Sequence, residues 1–166
     1  MINEHYLKQA AAIKKALSSE NVVQLQEFMD KPAYYKLLEA VKKSKLKDDI
    51  DIFDHRYKSA PISIPRDVEE FIGKIAGKKF KYKIVRLSHK DYALLHDKKP
   101  EVIIDLTANW LNGWGGYIMF NDGKGNVMKI PAKENSITIS NGKTFRSIKY
   151  VNNHSKQNNK LYIIGR

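Results

Sequence analysis

A chain of 166 residues has the length of one folded domain, and it contains no cysteine. Disulfides, zinc–thiolate sites and iron–sulfur clusters are therefore excluded, and any metal must sit on His, Asp or Glu. The net charge of +12 is unevenly placed: residues 1–78 hold 14 Lys/Arg against 12 Asp/Glu, and residues 79–166 hold 16 against 6. Such a basic half attracts anions, whether a small anionic ligand, an acidic partner or nucleic acid.

Hydrophobic residues make up 42% of the chain, which suits a packed core. No stretch approaches the length of a membrane span, and the first residues lack a basic leader followed by an apolar run. A soluble, cytoplasmic protein without membrane contact is expected.

Four helical segments are expected at the start. Tyr6, Ala10, Ile13 and Leu17 recur at helical spacing, with Asn3 as a cap. Val22, Leu25, Phe28 and Met29 form a second, short stripe. Asp30-Lys31-Pro32 restarts the chain, and Tyr34, Leu37, Leu38 and Val41 define a third helix. Residues 45–65 read as a charged, irregular connection whose prolines at 61 and 65 favour extended backbone. The fourth helix runs from Pro65 to about Ala76, with Gly77 as its stop.

From Lys79 the hydrophobic period changes from 3.6 to 2. Lys79–Leu87 alternates almost strictly, and seven further strand candidates follow: 92–96, 102–107, 116–121, 126–130, 136–140, 144–152 and 161–165. Asn141-Gly142 is a strong hairpin signal. Eight strands without an intervening helix indicate a sandwich or barrel. The expected organisation is one domain over 1–166: a helical part, 1–78, and a strand-built core, 79–166. Phe80-Lys81-Tyr82-Lys83 interleaves aromatics with lysines and offers a stacking face for nucleic acid; an amphipathic edge strand is the simpler account.

Five passages in the strand half stand in a recognisable order: Tyr92–Asp97; Ile103–Thr107 with Trp110 and Trp114-Gly115-Gly116; Pro131-Ala132-Lys133-Glu134-Asn135; Arg146–Val151; and Lys160–Gly165. Together they resemble prolyl-4-hydroxylase-like members of the Fe(II)/2-oxoglutarate-dependent oxygenase superfamily. The resemblance implies an α+β fold, with N-terminal helices packed on a double-stranded β-helix (a jelly-roll, cupin-like barrel). It also implies a hydroxylase with Fe(II) and 2-oxoglutarate as cofactors, acting on a protein or small-molecule substrate that the sequence does not name.

Enzymes of this kind hold Fe(II) with two histidines and a carboxylate, leaving positions open for 2-oxoglutarate and oxygen. The resemblance points to His96 with Asp97 as first ligands, or to the His-x-Asp pair His89 and Asp91, and to Lys160 or Arg146 as the cation for the cosubstrate. His154 is a further ligand candidate. Two positions depart from the pattern: Lys98 stands at i+2 from His96, and Arg146 falls where the distal histidine belongs. A guanidinium is cationic at any working pH and does not ligate metal. The alternative function is accordingly an inactive β-helix domain, without cofactor, that binds an anionic ligand or partner through its basic half.

Overall fold

The computed structural model describes residues 1–96, 98–156 and 158–166, with the backbone alone of Leu95, His96 and Asn112. Short helices α1 (Glu4–Lys8) and α2 (Ala10–Glu20) open the chain, joined at Gln9. Asn3 caps α1 by accepting from the His5 N–H, and Asn21 ends α2 in the left-handed conformation. Helix α3 (Lys31–Lys43) begins at Asp30, whose side chain accepts from the Ala33 N–H, with Pro32 in the first turn. Helix α4 (Arg66–Ala76) buries Val68, Phe71, Ile72 and Ile75 and stops at Gly77.

The expected second helix is a strand, β1 (Val22–Leu25), paired antiparallel with β9 (Ser136–Asn141). Four apolar residues at helical spacing fit either element, and the open edge of β9 decided for the strand. The expected irregular connection is likewise structured: β2 (Lys47–Asp51) and β3 (His55–Ile62) form an antiparallel hairpin. Strands thus also lie within the first 78 residues. Among the described residues no helix is long and apolar enough to cross a membrane.

The eight strands expected after residue 79 are all present. They are β4 (Tyr82–Leu87), β5 (Tyr92–His96), β6 (Pro100–Asp105), β7 (Ile118–Asn121), β8 (Val127–Ile130), β9, β10 (Phe145–Ile148) and β11 (Lys160–Gly165). The sheet runs β1-β9-β6-β11-β4-β3-β5-β10-β7-β8, antiparallel throughout, with β2 added on β3. It folds into two facing layers, β9-β6-β11-β4 and β5-β10-β7-β8, with β3 bridging them: a double-stranded β-helix carrying the helices on one side.

The period of two separates two cores. Val102, Ile104 and Leu106 point from β6 toward the helices, joining Phe28, Leu37, Val68, Phe71 and Ile72. Ile103 points the opposite way, into the barrel, with Val85, Leu87, Ala93, Ile148, Tyr162 and Ile164. Phe80 and Tyr82 belong to the helix-side core and are buried, so they present no stacking face to nucleic acid.

Asn135, in the left-handed region at φ 54, fastens the N-terminal segment to the barrel. Its side-chain N–H donates to the Met29 carbonyl (2.7 Å), its side-chain oxygen accepts from the Met29 N–H (3.1 Å), and its own carbonyl accepts from the Phe28 N–H (2.8 Å). Asn135→Ala leaves two polar groups of the buried Met29 backbone without partners and strains the turn. The expected loss is about 2–3 kcal/mol, read as a lower denaturation midpoint in urea.

Candidate functional site: ion pairs inside the barrel

Alternation along β6 sends Glu101, Ile103 and Asp105 inward, and alternation along β11 sends Lys160, Tyr162 and Ile164 inward. Glu101 and Asp105 are therefore four residues apart on one face, roughly 13 Å along the strand. Each carries its own cationic partner, so the barrel holds two buried charge groups.

At the Asp105 end, the Lys160 ammonium lies 2.8 and 2.6 Å from the two carboxylate oxygens of Asp105. Lys160 is 0% and Asp105 4% exposed. The carboxylate also accepts from the Thr107 N–H (3.0 Å) and the Lys133 N–H (3.1 Å), which suits its ionised form. Burial pushes Asp105 above the usual carboxylate range and Lys160 below the usual ammonium range, and their mutual attraction offsets only part of this. The ammonium sits 5.0 Å from the Tyr162 ring and 5.5 Å from the Trp110 ring.

The Gly115-Gly116 turn fits around this pair. A Cβ on Gly116 would press at 3.3 Å on the Lys160 stem and the Trp110 ring. The Gly116 carbonyl accepts from the Tyr162 hydroxyl (2.7 Å), and the Trp110 indole N–H donates to the Gly115 carbonyl (2.9 Å). The two tryptophans meet edge-on at 5.2 Å and close this end of the barrel.

At the other end Glu101, 1% exposed, meets two guanidiniums. Arg146 Nε donates to Oε1 at 2.9 Å and its Nη2 to Oε2 at 3.4 Å, while Arg166 Nε donates to Oε2 at 2.9 Å. Burial works to raise Glu101, but the two guanidiniums outweigh it and hold the carboxyl below its usual range. Two positive groups face one negative group. Arg146 Nη1 and Arg166 Nη2 are buried without an acceptor among the described residues.

Among the described residues, those expected to bind iron form no ligand set. His96 is directly opposite Arg146 in the β5–β10 register. That places a buried cation beside the strand position of the first candidate ligand, where a second imidazole would be needed. The His96 side chain and Asp97 lie outside the described residues. His89 is exposed in a turn in which Asp91 accepts from the Ser88 N–H (2.8 Å); Asp91 is buried and approaches Arg56 at 3.3 Å. His154 is exposed in a short 3₁₀ turn, Asn153–Ser155, that packs on the Asn112–Trp114 turn. Among the described residues no three His, Asp or Glu side chains are arranged to hold a metal.

Among the described residues the donor set does not fit Fe(II) with 2-oxoglutarate. Arg146 puts a cation at the position where the resemblance expects a ligand, and Lys160, which the resemblance expects to hold a cosubstrate carboxylate, already holds a carboxylate of the chain itself.

Sequence reasoning named Lys160 and Arg146 but missed Glu101, Asp105 and Arg166. The signal was legible: acids flanking the apolar run Val102–Ile104 on one strand face cannot be buried without partners. Also missed was a second polar cluster, on the face of β3 that carries Tyr57. The His55 side chain is only 14% exposed and bridges Asp54 (2.9 Å) and Asp49 (2.8 Å). It stacks on Tyr57 at 4.4 Å. Asp49 also accepts from the Ser59 hydroxyl (2.7 Å) and Lys83 (3.2 Å).

No family model matches the sequence, and comparison with curated proteins finds no match. The solved structures do match in fold. A Pseudomonas putida prolyl-4-hydroxylase superposes with a TM-score of 0.79 at 10% identity, over 95% of this chain and 97% of that one. A Trichoplax adhaerens prolyl hydroxylase, solved with a peptide of the hypoxia-inducible factor oxygen degradation domain, gives 0.77 at 11% identity, over 98% and 90%. A 2OG-Fe(II) oxygenase-family oxidoreductase from Burkholderia pseudomallei gives 0.70 at 12%, over 94% and 89%. The fold is that of the prolyl-4-hydroxylases and other 2OG-Fe(II) oxygenases, a jelly-roll barrel. At these identities the likeness establishes the fold alone.

Two measurements probe the clusters. Lys160→Met strands the Asp105 carboxylate in the barrel at an expected cost of about 3–5 kcal/mol, whereas Lys160→Met combined with Asp105→Leu recovers most of it. Urea midpoints of the two variants check this. For Asp49, burial works to raise the carboxyl, but the bonds from His55, Ser59 and Lys83 overcome it and hold the pKa at about 2. A depressed carboxylate stabilises the fold above its unfolded pKa of about 4, and that stability is lost as the pH falls toward about 2. The melting temperature is expected to drop across that window, and less so in Asp49→Asn.

Proposed function

We propose that this chain is a non-catalytic double-stranded β-helix that binds an anionic ligand through its basic strand half. The observation that carries this reading is the Asp105 carboxylate seated on Lys160. The resemblance assigns that ammonium to the far carboxylate of 2-oxoglutarate, and a cosubstrate would have to displace a chelating, backbone-supported internal anion. The Arg146–Glu101 contact supports the same reading, because a guanidinium in place of a histidine adds positive charge where a metal cation would sit. A cytoplasmic location belongs to the same proposal.

The likeness to prolyl-4-hydroxylases supports a second reading, an Fe(II)/2-oxoglutarate-dependent hydroxylase. In it His96, with Asp97 or with His89 and Asp91, would anchor the iron and Lys160 or Arg146 the cosubstrate. Its substrate class is open, since the similar structures include one solved with a peptide and an epimerase solved with nogalamycin RO.

Anaerobic titration of the purified chain with Fe(II) and 2-oxoglutarate separates the two. The binding reading expects no metal-to-ligand charge-transfer absorption and, after oxygen is admitted, succinate no higher than a protein-free control. An absorption band that saturates at one iron per chain, together with succinate formation, would overturn it.

A further inference from the structure

We propose that the Glu101 end of the barrel is a binding site for a small organic carboxylate, held between the guanidiniums of Arg146 and Arg166. The inference rests on the non-catalytic reading above and assigns its ligand a chemistry and a place.

The charge balance is the first argument. Two guanidiniums converge on one carboxylate, which among the described residues leaves one positive charge at a barrel end where Arg146 is 4% and Glu101 1% exposed and Arg166 alone of the three reaches solvent. A buried excess charge is unfavourable unless a counter-charge reaches it, and one monoanion balances this one.

Hydrogen bonding is the second, independent argument. Arg146 Nη1 and Arg166 Nη2 are both buried and both lack an acceptor among the described residues. A guanidinium offers five N–H donors in a planar fork, and each buried donor left unmade is costly. Glu101 uses Arg146 through Nε and Nη2 and Arg166 through Nε alone, so Nη1 of Arg146 and both terminal nitrogens of Arg166, of which Nη2 is buried, make no bond to it. One carboxylate has two oxygens, one for each of the two buried nitrogens.

Access follows from exposure. The Arg166 side chain is 33% exposed while that of Arg146 is 5% exposed, so the side open to an anion is that of Arg166. At the other end of the barrel Lys160 and Asp105 balance one another. The external lysines add long-range attraction but no enclosed donors.

Calorimetric titration of the full chain with acetate, and separately with inorganic phosphate, tests the site at roughly 0.05 M and 0.5 M NaCl. The expected result is one-to-one acetate binding that persists at the higher salt and exceeds phosphate binding. Arg166→Gln, at a partly exposed position, is expected to weaken it at least about tenfold, the weight of a charge-assisted hydrogen bond. Glu101→Gln removes the competing internal anion and is expected to tighten it about tenfold, an outcome that a purely structural role for Glu101 does not produce. Acetate affinity unchanged in Arg166→Gln, phosphate preferred over acetate, or no saturable acetate binding by either wild type or Glu101→Gln would each overturn the assignment. None of these outcomes depends on succinate formation, so the site can fail while the non-catalytic reading stands, and the reverse.

Discussion

A charge inside a closed β-barrel has to be matched by another, and this chain meets that constraint twice. Glu101 and Asp105 point inward because both lie on the odd-numbered face of β6, the face that also carries Ile103. Transfer of an unpaired carboxylate into such an interior is prohibitive, so the fold requires cations from neighbouring strands. β11 supplies Lys160, and β10 with the residue after β11 supplies Arg146 and Arg166. The register of three strands is thereby tied to charge as well as to apolar packing, since a one-residue slip of β6 would turn both acids toward the helices.

The same arrangement shapes what the barrel can do. Its interior positions hold one internally neutral pair and, among the described residues, one cluster with a surplus of positive charge. The neutral pair is closed by Trp110, Trp114 and the Gly115-Gly116 turn. The positive cluster lies at the end where Arg166 reaches solvent. The asymmetry between the two ends, rather than the overall charge of +12, is what singles out one of them as a place for an anion.

The helices contribute differently. Phe28, Leu37, Val68, Phe71 and Ile72 cover the outward side of Val102, Ile104, Ile137, Ile139 and Ile163, so the β9-β6-β11-β4 layer packs on the helices on one side and carries the ion pairs among apolar side chains on the other. Burial on both faces removes water from around the ion pairs, which strengthens their attraction and raises the cost of leaving any of them unmade. Asn135 and strand β1 fix the N-terminal segment to the barrel, and through it the whole helical layer.

Much of the architecture was legible along the chain. The switch from a period of 3.6 to a period of 2 at Lys79, the capping residues Asn3 and Asp30, and the stop at Gly77 are local features that reach the fold unaltered, whereas Asn141-Gly142 turns the chain without the expected hairpin, because β9 pairs with β1 and β6 and β10 with β5 and β7. The ordered passages from Tyr92 to Gly165 pointed to the jelly-roll barrel in the same way. Strands β1 and β3 were not legible, because β1 is held by β9 and β3 by β4 and β5, all later in the chain, and β2 forms only as the partner of β3. The site divided along the same line. Arg146 could be seen to be no metal ligand from its identity alone, since no environment deprotonates a guanidinium. That Lys160 would hold Asp105, and that Arg146 and Arg166 would share Glu101, was decided only by the tertiary structure, because pairing depends on which strands become neighbours and not on distance along the chain.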